Sequence, residues 1–230
     1  MKKILKTTLI AFLAFMTLAT FAACKTEEDA LLRSVSEYRS EVCSGEDDRY
    51  SVELVSGYRE NPFEIDGKCS DKSDYTLITV TPKRTMTDKT LTVTLTADGK
   101  KTEGSALRHP YKDSYSFEFM SRTTCDNAEV AINDGNTTVT IALKKAGKEG
   151  EIGGYDALKT AVKELEESLS PYMSDGKFAG EIYVRYVNNP LGADGKYYWY
   201  VSFVPEAASD KTIAVLIDPE SGKVAAARKQ

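Results

Sequence analysis

Residues 27–43 read EEDALLRSVSEYRSEVC, and the fold of the chain turns on how this stretch is taken. Leu31, Val35, Tyr38 and Val42 recur at spacings of three and four, which places them on one stripe of an α-helix. Ser44-Gly45 then supplies a stop. The spacing predicts an amphipathic helix over Glu27 to Cys43. Its apolar stripe has to be buried, and the alternating segments that follow offer a sheet to bury it on. Tyr50 to Tyr58 alternates through Val52 and Leu54. Tyr75 to Thr81 sets Ile78 and Val80 on one face, and Leu91 to Leu95 sets leucine and valine against threonine. Asp98-Gly99-Lys100 turns the last of these.

The same order returns later in the chain. Tyr155 to Tyr172 has helical spacing in Leu158, Val162, Leu165 and Leu169, and Ile182 to Val187, Tyr197 to Val204 and Thr212 to Ile217 read as strands. Asp29-Ala30-Leu31, Val35 and Glu37 match Asp156-Ala157-Leu158, Val162 and Glu164 at identical spacing. Tyr58, Asn61, Pro62, Asp66, Gly67 and Lys68 match Tyr186, Asn189, Pro190, Asp194, Gly195 and Lys196 without a gap, and Asp88-Lys89-Thr90-Leu91 returns as Asp210-Lys211-Thr212-Ile213. Turn chemistry alone writes Asn-Pro and Asp-Gly into many hairpins. The helix block and the shared order speak instead for an internal duplication.

The expected fold class is therefore α+β: two duplicated units, each a helix packed on an antiparallel sheet, with a β-rich insert between them. Residues 24–100 make the first unit, 101–148 the insert and linker counted with it, and 149–230 the second unit. Within the insert, Ser114 to Phe119, Ala128 to Asn133 and Thr137 to Leu143 read as strands, the last two joined at Asn133-Asp134-Gly135-Asn136.

Met1 to Cys24 has a different character. Lys2, Lys3 and Lys6 precede a run from Thr7 to Phe21 that is apolar apart from four threonines, and Ala22-Ala23 stands before Cys24. Charge, length and small residues together read as a secretory signal peptide over residues 1–23. The segment resembles the signal of bacterial lipoproteins. That resemblance implies acyl chains on Cys24 and a protein anchored to the cell membrane, facing outside the cytoplasm. Each buried CH₂ is worth about 0.8 kcal/mol, so two or three chains would hold firmly. An unmodified Cys24 after a plain signal peptide is a second reading. An uncleaved membrane helix is a third, although the run is shorter than the roughly 20 residues a span takes.

Setting residues 1–23 aside removes three lysines and no acids, so the formal charge of −5 becomes −8. An acidic chain without a basic stripe argues against a nucleic-acid partner. Cys43, Cys69 and Cys125 follow Cys24. Outside the cytoplasm thiols tend to be oxidised, and with three of them Cys125 is expected to pair with Cys43 or with Cys69.

Catalytic sets are sparse. His109 is the sole histidine and stands before Pro110. A Cys/His pair with Cys125 or Cys69 lacks a third group to orient it. Asp66, Asp71 and Asp74 lie within nine residues and offer hard oxygen ligands to calcium, but a solvated turn explains the same residues. No catalytic residue, metal or cofactor is expected. The aromatic strand is the better binding candidate. Tyr197, Trp199, Val201 and Phe203 share one face, which suits the helix-covered core, and Tyr198, Tyr200 and Ser202 share the other. Tyr183 and Arg185 extend that second face on the neighbouring strand. Tyr183, Arg185, Tyr198 and Tyr200 thus form a candidate binding face, either open to a partner or packed against the rest of the chain.

Ile217-Asp218-Pro219-Glu220-Ser221-Gly222-Lys223-Val224 closes the second unit. With the helix and strands before it, this ending resembles the PepSY-like group of small secreted domains. The resemblance implies a repeated, extracytoplasmic, non-catalytic domain with peptidase inhibition or regulation as its activity. The expected function is a lipid-anchored binding or regulatory protein acting on a peptide or protein partner such as a peptidase. The alternatives are a structural envelope lipoprotein, and a surface hydrolase built on Cys125 or Cys69 with His109.

Overall fold

A computed structural model describes residues 31–86, 90–190, 192 and 195–229. Of these, 51% are strand and 12% helix. The chain is therefore a mainly β protein, and the expected α+β pair of duplicated helix-on-sheet units does not form. In chain order the strands are β1 (Val35–Glu46), β2 (Tyr50–Glu60), β3 (Lys72–Pro82), β4 (Leu91–Ala97), β5 (Lys100–Arg108), β6 (Tyr115–Phe119), β7 (Glu129–Asn133), β8 (Thr138–Ala142) and β9 (Lys144–Lys145). Helices α1 (Gly154–Glu164) and α2 (Glu166–Leu169) follow. The small hairpin β10 (Met173–Ser174) with β11 (Lys177–Phe178) leads to β12 (Gly180–Asn188), β13 (Tyr197–Pro205), β14 (Ile213–Ile217) and β15 (Val224–Arg228).

The main correction falls on residues 27–43. Residues 27–30 lie outside the described residues, 31–33 form a helical turn, and Val35 opens a strand of 12 residues. Two β-bulges account for the helical-looking spacing. β1 slips against β12 between Val35 and Glu37, so Val35 and Tyr38, three apart, stand opposite Ile182 and Val184 on one face. A second slip against β2 lies between Arg39 and Glu41. Ser34, Ser36, Ser40 and Ser44, with β-branched Val35 and Val42, favour the extended chain once it has a partner on each edge.

The repeated blocks part company here. Tyr58 leads into the loop joining β2 to β3 and Tyr186 into the loop joining β12 to β13, both between antiparallel strands. Residues 35–37, by contrast, are strand, and 162–164 are helix. Matching loops without matching elements are the mark of turn chemistry. Asp88 and Lys89 of the third block, and Asp194 of the second, lie outside the described residues.

The first part of the chain closes on itself. β8 and β9 are separated by Leu143 alone; β8 pairs with β7, and β9 pairs with β1 at Cys43–Lys145 and Ser44–Lys144. The ring β1-β2-β3-β6-β5-β4-β7-β8/β9 is antiparallel at every seam. A barrel of this size is filled by side chains. Alternate residues point inward, among them Leu54, Ile78, Val93, Tyr115, Val130 and Ile132.

The remaining edge of β1, Val35 to Arg39, pairs with β12 in parallel, and the antiparallel sheet β12-β13-β14-β15 runs on from there. α1 covers one face of it, placing Ala157, Leu158 and Ala161 in one core with Ile182, Val184, Val201, Phe203 and Val215. β1 thus serves two cores, one inside the barrel and one beneath the helix.

Candidate functional site

Side chains alternate across β12, so Glu181, Tyr183 and Arg185 face away from α1. The parallel seam sets Glu37 beside Tyr183 and Arg39 beside Arg185. On the other side of β1, Arg59 stands opposite Glu37 and Gly57 opposite Arg39, and Tyr75 of β3 stands opposite Gly57. A Cβ at Gly57 would lie 1.9 Å from the Tyr38 carbonyl oxygen, so the bulge requires glycine there.

Glu37 is the centre of this face, with 1% of the residue exposed. Tyr75 donates its hydroxyl to Oε1 at 2.6 Å, and an Arg39 guanidinium nitrogen approaches the same oxygen at 3.1 Å. Arg185 Nε donates to Oε2. Burial pushes the Glu37 carboxyl up, but the Arg39 and Arg185 charges and the Tyr75 hydroxyl outweigh it and hold it below the usual carboxylate range. Burial, then the Glu37 charge, pushes the Tyr75 hydroxyl well up. A buried carboxylate is tolerable because charge-assisted hydrogen bonds satisfy it.

A layer of cations and rings surrounds this centre. The Arg59 guanidinium lies 4.6 Å from the Tyr75 ring and 5.1 Å from the Phe63 ring, and it pairs with Glu118. Arg185 lies 4.5 Å over Tyr183. Phe63 meets Tyr183 edge-on with centroids 6.3 Å apart. Contacts of this kind are worth about 0.5–2 kcal/mol each.

The loop of residues 61–71 folds back over β12. Glu181 accepts the Gly67 N–H through Oε2 and the Tyr183 hydroxyl at 2.7 Å through Oε1. Gly67 has φ +83°, a left-handed conformation that favours glycine, and packs against Glu206. Glu60 accepts the Ser70 N–H at 3.0 Å, while the Cys69 thiol and the Lys72 ammonium both donate to the Arg33 carbonyl. Burial raises the Glu181 carboxyl above its usual range, against the pull of the Tyr183 hydroxyl and the Gly67 N–H. Phe63 and Ile65 remain on the outside of the loop.

Tyr183 is buried beneath this loop and Arg185 is half-buried in the ion cluster. Tyr198 and Tyr200 are half-buried on β13, opposite Val187 and Arg185. The four share the face turned away from α1. Glu37, Arg39, Arg59, Phe63 and Tyr75 were not legible as its members, because reading 27–43 as a helix removed the strand between them. The signal lay in Glu37-Tyr38-Arg39, charges two apart around a ring, which is how a strand with one polar and one apolar face is written.

The other candidates sit apart. His109 Nδ1 accepts the N–H groups of Tyr111 and Lys112, each at 3.1 Å, in the turn between β5 and β6. Cys125 is enclosed with the barrel core and Cys69 is on the 61–71 loop. Asp66 accepts the Lys68 N–H at 2.9 Å, and Asp74 stands opposite Tyr58 in the β2–β3 pairing. Among the described residues no group of three or more His, Cys, Asp or Glu side chains is placed to hold a metal ion. No helix among them is long and apolar enough to cross a membrane. Compared with known proteins, the chain matches no family model, no curated protein and no solved structure.

Proposed function

We propose that the chain is a lipid-anchored, extracytoplasmic recognition protein that acts by binding a peptide or protein partner, and that it binds through the arginine–tyrosine face across β2, β1 and β12. The supporting observation is Arg59, whose guanidinium lies against both the Phe63 and Tyr75 rings with 22% of its side chain exposed. Arginine beside aromatic rings on a rigid sheet is the composition of binding hot spots. Arg39, Arg59 and Arg185 are set against Glu37 and Glu118, which suits a segment bearing a carboxylate, and exposed Phe63 and Ile65 suit an apolar side chain next to it.

The test is selection of displayed peptides on the immobilised full chain. Peptides combining Asp or Glu with an aliphatic or aromatic residue should be enriched. Arg59→Ala and Phe63→Ala should each weaken the best of them about tenfold, or about 1.4 kcal/mol, measured at a temperature where melts show both variants still folded. Equal binding by both variants, or no enrichment, removes the assignment. Mass spectrometry of the mature N-terminus tests the anchor separately, by acyl mass on Cys24.

A further inference from the structure

We infer that Cys43 and Cys125 form a disulfide that fastens the closing seam of the barrel. Cys43 is on β1, opposite Leu54 of β2 and paired with Lys145 across that seam. Cys125 lies on the connection between β6 and β7. Its carbonyl accepts the Ala128 N–H, and the Ala128 carbonyl accepts the Leu143 N–H at 2.8 Å. The connection is therefore tied to the residue where β8 gives way to β9. The two side chains belong to one core cluster, at 0% and 4% exposure. Cys69 is outside the barrel on the 61–71 loop, with its thiol on the Arg33 carbonyl. Of the two pairings expected for Cys125, this packing favours the one with Cys43.

The step is an exchange. The Cys43 and Cys125 thiols give up two protons and two electrons to the disulfide of a thiol–disulfide oxidant; one S–S bond forms in the barrel as one breaks in the oxidant, which leaves as two thiols. Attack requires a thiolate. The neighbouring Cys43 thiol and burial both push the Cys125 thiol far up in the closed barrel. The bond therefore forms while the barrel is still open, and the closed barrel shields it afterwards. The seam it fastens has two residue pairs, Cys43–Lys145 and Ser44–Lys144.

The test uses the full chain carrying Cys24→Ser and Cys69→Ser, refolded in oxidised and reduced glutathione. The product should be lighter by two hydrogens, and digestion without reductant should release a peptide joining Cys43 to Cys125. Reduction should lower the melting midpoint by about 5–15 °C. An unchanged mass, with both thiols alkylated after denaturation, overturns the inference. So does wild-type mapping that joins Cys69 to either cysteine. If the reduced protein does not fold, the peptide map of the oxidised protein decides alone.

Discussion

Arg185 donates to the buried carboxylate of Glu37 across the parallel seam between β12 and β1, so an ion pair joins the barrel to the helix-covered sheet where their strands meet. Glu37→Gln leaves the Arg39 and Arg185 guanidiniums facing a neutral group. It should cost about 1–3 kcal/mol, below the full value for a buried pair because both arginines reach solvent. Urea denaturation at pH 7 measures it.

That cost should depend on pH. The folded-state Glu37 carboxyl is held low, so its contribution is present above the unfolded value, about 4.3–4.5, and is lost as pH falls through the lower folded value. The gap between wild type and Glu37→Gln should therefore narrow as pH falls below the unfolded value. A gap of the same size at pH 3 and pH 7 contradicts the arrangement.

Glu181 should behave with the opposite sign. Its folded-state carboxyl is raised, so its contribution is full below the unfolded value and is lost as pH rises through the folded one. Glu181→Gln, measured by the same denaturation series, should gain on wild type as pH rises where Glu37→Gln falls behind. Parallel profiles for the two variants count against this assignment of the buried carboxylates.

Gly57→Ala should destabilise by about 2–4 kcal/mol, since its Cβ would meet the Tyr38 carbonyl oxygen and the bulge would have to open. The comparison is Gly99→Ala, a turn glycine with φ +70° and open space around its Cβ position. Its cost should be confined to backbone strain of about 1 kcal/mol. Thermal melts of both variants make the test.

Trp199 reports on the helix-covered core. It is the sole tryptophan, 5% exposed, with Nε1 donating to the Ile152 carbonyl at 2.9 Å and its ring beside Tyr38 and Tyr186. Its emission should be that of a buried indole and shift to the red on unfolding. Because β1 belongs to both cores, the fluorescence and far-ultraviolet dichroism transitions in urea should coincide. Separate midpoints would show that the barrel unfolds independently.

Much of the sheet was legible. Leu91, Val93, Leu95 and Ala97 alternate without interruption, and every one faces the barrel core. The spacing of Leu158, Leu165 and Leu169 put a helical segment on its sheet, although the single helix expected over Tyr155 to Tyr172 is broken at Leu165 into α1 and α2. β1 was not legible, because Val35 and Tyr38 reach one face by a bulge, and a bulge depends on the partner strand. The binding face inherited that gap. Arg185 and Tyr200 could be set on one face from strand alternation, whereas Glu37 and Tyr75 enter only once β1 lies between β12 and β2.

The place of β1 also governs how the protein bears tension. Load entering from the N-terminal side passes the hydrogen-bonded Arg33 and Ser34 and then reaches Val35, on a strand whose hydrogen bonds to β12 and β2 lie across its axis. Such a row shares the force and yields by sliding as a whole, where a strand pulled sideways would unzip bond by bond. With the tether proposed at Cys24, the molecule would hang from a strand held on both edges, and the Glu37–Arg185 pair would lie just past the leading Val35–Ile182 rung.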